Sequence, residues 1–110
     1  MSADLQQIVA QSGDAADMHA TVPTLLLELQ TLLGALTASA NASTERGRRP
    51  FRPGDDWALR LGELAYGVYL LADQSGVDVE QAVVATANRL HQQGQSHQAA
   101  TSHGWPFEAQ

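Results

Sequence analysis

The chain has 110 residues, 44% of them apolar, and a net charge of −6. That length holds one domain with a small core. The charge disfavours general nucleic-acid binding, which needs a basic surface, and the absence of cysteine excludes a disulfide scaffold and thiolate metal sites. No apolar run is expected to cross a bilayer. The start, MSADLQQ, has neither a basic n-region nor an apolar h-region, so a cytoplasmic protein without a membrane partner is expected.

In chain order, Ala3 to Gln11 predicts a short helix ended by Ser12-Gly13, and Asp14 to Ala20 a second short one. Thr21 is placed to cap the next helix, and Pro23 fixes φ in its first turn. From Pro23 to about Ala40, Leu25, Leu26, Leu29, Leu32, Leu33 and Leu36 make a broad apolar stripe with Glu28 at its edge. Asn41 to Gly54 reads as a connection, long for an ordinary link, holding four of the six arginines (Arg46, Arg48, Arg49, Arg52). Such a loop either closes on phosphates or stays a solvated linker.

Asp55 and Asp56 start a helix that runs to Asp73 and has two apolar faces. Trp57, Leu61, Leu64, Ala65, Val68, Leu71 and Ala72 share one. Leu59, Tyr66 and Leu70 share the other, and Glu63 lies among them. A carboxylate in apolar company needs a proton, a cation, a hydrogen bond or a metal. Ser75-Gly76 ends this helix, and Asp78 caps a last one running to about Gln93. Gly94 to Gln110 reads as a tail with one apolar cluster, Trp105-Pro106-Phe107, and His97 and His103 read as surface. No alternating strand pattern competes, so the fold class is all-α.

The stretch LGELAYGVYLLADQSGVDVEQAV, followed by ATANRL, resembles the MazG family of all-α nucleoside triphosphate pyrophosphohydrolases. Leu61-Gly62-Glu63 stands for the family's Leu-Gly-Asp, and Ala72-Asp73 and Gly76-Val77-Asp78 fall in register. LLLELQTLLGAL resembles its first acidic helix, with Glu28 in the motif. The resemblance implies a bundle of about four helices, completed by dimerisation. It also implies Mg²⁺ held between E-x-x-E and E-x-x-D motifs, and cleavage of a nucleoside triphosphate to monophosphate and pyrophosphate. On that expectation Glu28, Glu63 and Asp56 are metal ligands, Arg48, Arg49 and Arg60 touch phosphate, and Tyr66 stacks on the base.

The chain departs from the family pattern where it matters. Thr31 stands where the first motif needs its second acid, and Arg60 where the second motif needs its first. A cation one turn from Glu63 repels Mg²⁺ and offers the carboxylate an ion partner instead. Two readings follow: a pyrophosphohydrolase using a nucleotide and Mg²⁺, or a member of the same fold that has lost catalysis and acts as a regulatory or protein-binding helical dimer. A small helical adaptor with Leu-rich binding surfaces is a third.

Overall fold

A computed structural model describes residues 2–96 of the chain, with side chains from Leu5 to Gln95. Among the described residues there are four helices and no strand: α1 (Ser2–Ala15), α2 (Val22–Thr44), α3 (Trp57–Ser75) and α4 (Val79–Ser96). The all-α expectation holds. The chain divides into two compact units, Met1–Asp78 and Val79–Gln110. The His97, His103 and Trp105-Pro106-Phe107 readings lie outside the described residues.

The amino-terminal expectation is corrected. One helix replaces two short ones: α1 continues through Ser12 and Gly13 to Ala15, and Asp14–Ala20 makes a turn and a connection instead. Gly13 is buried because neighbours crowd it. A Cβ there would meet Leu70 Cδ1 at 2.8 Å and His19 Nε2 at 3.1 Å. It marks a close approach between segments rather than a helix stop.

Thr21 caps α2 as its residue type predicts, its hydroxyl accepting from the Thr24 amide at 3.4 Å, with Pro23 in the first turn. The helix runs past Ala40 to Thr44 and ends at Glu45, whose left-handed conformation turns its N–H back to Ala42 O and whose neighbour Arg46 bonds Asn41 O. The connection is therefore shorter than expected, and it is pinned. Ser43 Oγ donates to Arg52 O and accepts from the Arg52 amide, and Phe51 packs edge-on against Trp57 at 4.8 Å between centroids.

Helices α2 and α3 form an antiparallel hairpin. Ser39 meets Asp56 near one end, Leu29 and Leu32 flank Gly67 in the middle, and Leu25 joins Leu70 in the core at the other. Helix α1 packs on α3, with Ser12 Oγ 2.6 Å from Tyr66 Oη and Gln6 Nε2 donating to Val77 O at 2.7 Å. Val9, Leu25 and Leu70 are the buried cluster, edged by Ala20, Tyr66, Tyr69 and Leu71. Each of the two apolar faces of α3 is covered only in part: Leu70 and Ala72, one from each, are buried, while Leu59 on the first and Leu61 and Val68 on the second stay exposed.

The second unit is described by its one helix. Helix α4 extends three residues beyond the expected Gln93, to Ser96. Thr86 Oγ1 bonds Ala82 O at 2.9 Å, and His91 pairs with Gln95 at 3.2 Å.

One sequence expectation about membranes also changes. By length and composition alone, α2 is long and apolar enough to cross a bilayer. Only Leu25 and Ser39 are buried along it, although it carries the hairpin's main packing.

Two glycines test this packing in opposite directions. Gly34 lies mid-α2 with open space around its Cα, so Gly34→Ala should raise stability by about 0.5–1 kcal/mol through helix propensity. At Gly67 a new Cβ would meet Leu29 Cδ2 at 2.7 Å and Leu32 Cδ1 at 3.0 Å, so Gly67→Val should cost about 1–3 kcal/mol by overpacking. Urea melts read both, and equal effects at the two positions would contradict the hairpin contact.

Candidate functional site

Two of the three acidic residues singled out by sequence, Asp56 and Glu63, gather around one cation. Arg60 and Glu63 lie three apart on α3, so their side chains meet on the helix surface, with Arg60 Nη1 donating to Glu63 Oε1 at 3.1 Å. One turn before Arg60, Asp56 places Oδ2 3.8 Å from Arg60 Nε. Asp56 precedes the first turn of α3 but makes no side-chain cap bond. Its Oδ1 accepts instead from Ser39 Oγ at 2.8 Å, a buried hydroxyl on α2. One guanidinium thus stands between two carboxylates, and one of these is tied across the hairpin.

Beside this cluster lies a groove of about 500 Å³, lined by Met18, Leu32, Ala58, Leu59, Gly62, Glu63 and Tyr66. It is an apolar trough with Glu63 as its charged wall. The Tyr66 ring borders it while its hydroxyl is held by Ser12. A second opening, about 420 Å³, lies between the first half of α1 and the end of α3, where Gln6, Gln7, Asp73 and Asp78 line it.

The remaining predicted residues are placed as follows. Glu28 is exposed on α2, one turn before Leu32. Arg49 is engaged by Glu45 at 3.3 Å, and Arg48 is exposed on the connection. Among the described residues, no three His, Asp or Glu side chains assemble into a group able to hold a metal. The Asp56–Glu63 pair does not fit Mg²⁺ as it stands, since Arg60 already faces both carboxylates with positive charge and would repel a divalent ion.

One cluster was not legible beforehand. His19 places Nε2 3.0 Å from Asp14 Oδ1, 3.6 Å from Asp73 Oδ2 and 3.4 Å from Ala10 O. Three acceptors around one ring nitrogen make it a donor. The contact joins the α1–α2 connection to the end of α3. Only the tertiary fold brings these residues together, and no spacing in the sequence signals it.

Comparison of the chain with protein-family models, with curated proteins and with solved structures finds no match.

The arginine cluster is half exposed, with Arg60 and Glu63 side chains each 38% accessible, so solvent screens it. Arg60→Met should cost no more than about 1 kcal/mol, with the loss shrinking at high salt. Ser39→Ala should cost about 1 kcal/mol, because it strips a buried bond from Asp56. In a double-mutant cycle the two losses should couple through Asp56, and strict additivity would contradict the shared carboxylate.

Proposed function

We propose that this protein is a MazG-like helical scaffold that does not hydrolyse nucleotides and acts through its apolar surfaces as a self-associating binding module. The observation that carries the reading is the Arg60 guanidinium between Asp56 and Glu63. The resemblance calls for carboxylates around a divalent ion at this place. Here a fixed side-chain cation supplies the positive charge, neutralises the acids and needs no metal. The first motif also carries Thr31 where an acid would complete it. A scaffold of this kind keeps the bundle geometry and loses the means to gather a triphosphate's charge and activate water.

A second reading is favoured by the groove beside Glu63. Its apolar walls, the Tyr66 ring and the nearby Arg60 suit a flat ring with an anionic substituent, bound without turnover. A nucleotide is one ligand of that chemistry.

Incubation of the protein with a panel of nucleoside triphosphates and Mg²⁺ should release no pyrophosphate. Mg²⁺ should leave the melting temperature unchanged in the wild type. In Arg60→Glu, which turns the cation into a third carboxylate beside Asp56 and Glu63, Mg²⁺ should raise it. Stabilisation there would approach about 2.7 kcal/mol at a metal concentration of a hundred times Kd. Pyrophosphate release by the wild type would overturn the proposal.

A further inference from the structure

Helix α1 fills only part of its seat on α3. At helical spacing, Leu59, Glu63, Tyr66, Leu70 and Asp73 form one line along α3. Gln6 meets Val77 and Ser12 meets Tyr66, so α1 runs antiparallel to α3 and covers this line from its far end back to Tyr66. Leu70 is buried there, with Gly13 close against it. Then α1 ends at Ala15, and the chain turns away through Asp17, whose φ of 57° is left-handed. From Tyr66 to Leu59 the same line stays open for two turns, about 10 Å. That open stretch is the floor of the groove beside Glu63, with Leu32 of α2 and Met18 at its sides. Leu59 and Met18 are 58 and 44% exposed.

The shape of the groove suits a helix. A line of α3 that packs one helix over half its length keeps the spacing to pack another over the rest. Gly62 has open space where its Cβ would stand, so an apolar anchor can come close to the α3 backbone. Leucine and methionine walls adapt to the side chains that such a helix brings.

Charge selects the kind of helix. Glu63 is itself a wall of the groove, exposed Glu28 lies one turn before Leu32, and exposed Asp17 precedes Met18. Arg60 is the cation beside the groove, and both Asp56 and Glu63 face it. Four acids against one guanidinium leave the rim negative, which turns anions away and draws cations in.

We infer that this groove seats an amphipathic helix of a partner protein, with apolar anchors one turn apart in the trough and Lys or Arg beside them, facing the acidic rim. The inference gives the scaffold reading the class of its partner and rests on that reading. The two fail separately: pyrophosphate release tests the scaffold reading, and peptide binding tests this one.

The probe is a fluorescein-labelled peptide of about 18 residues, five helical turns, with Leu on one face and Lys on the other. Its fluorescence anisotropy should rise saturably with the full-length protein. A peptide of the same composition with its leucines scattered around the helix should bind about tenfold more weakly, and so should one with Glu for every Lys. Gly62→Trp fills the trough from a position with no neighbour to clash, and Glu63→Gln removes the charged wall. Each should weaken binding about tenfold with helical circular dichroism retained. If Gly62→Trp unfolds, Glu63→Gln still decides. Equal binding of the scattered peptide, unchanged binding by both variants, or no binding by the wild type would each overturn the inference. So would binding of a fluorescent nucleoside triphosphate that Gly62→Trp abolishes, which gives the groove to an anion. A wild-type mass that doubles with concentration and returns to the monomer in Gly62→Trp gives it to a second copy and overturns the inference as well.

Discussion

The structure depends on how closely α2 and α3 approach at Gly67. Leu29 and Leu32 lie so near its Cα that a side chain there would displace them, and that contact decides which leucines turn inward. Leu25 and Leu70 become core, while Leu26, Leu33, Leu61 and Val68 are turned out. A helix pair with apolar residues on more than one face cannot bury them all against one neighbour. The same leucines also give α2 the composition of a bilayer-spanning helix.

The hairpin also determines the fate of the acidic residues. It brings Ser39 to Asp56, which draws that carboxylate toward α2 and away from capping its own helix. Arg60, one turn on, then finds Asp56 on one side and Glu63 on the other. In energy this exposed cluster is minor. Its consequence is chemical, because carboxylates already facing a guanidinium are poor hosts for a divalent ion.

How much was readable in advance varies with the physics of each residue. Thr21, Pro23 and Gly76 act through their own backbone preferences, so the start of α2 and the end of α3 were legible. The Arg60–Glu63 pair follows from three-residue spacing alone. Gly13 misled, because a glycine that ends a helix and one that admits a neighbour are the same letter, and only packing tells them apart. Asn41, Ser43 and Thr44 read as loop by polarity, yet Asn41 O accepts from Arg46 and Ser43 bonds Arg52, so the polar residues close the helix instead of ending it early. Which residues on the two apolar faces of α3 turn inward was not legible, since both faces satisfy the same period. The His19 cluster needed the fold itself.

The account rests on Arg60 occupying the place of a divalent ion. Titration of Mn²⁺ into isotope-labelled protein, followed by amide line broadening, tests that directly. The account predicts that amides from Arg60 to Glu63 stay sharp at ion concentrations that broaden exposed acidic sites elsewhere. Selective loss of those amides together with the ones around Glu28 would reveal a metal held between α2 and α3 and would contradict it.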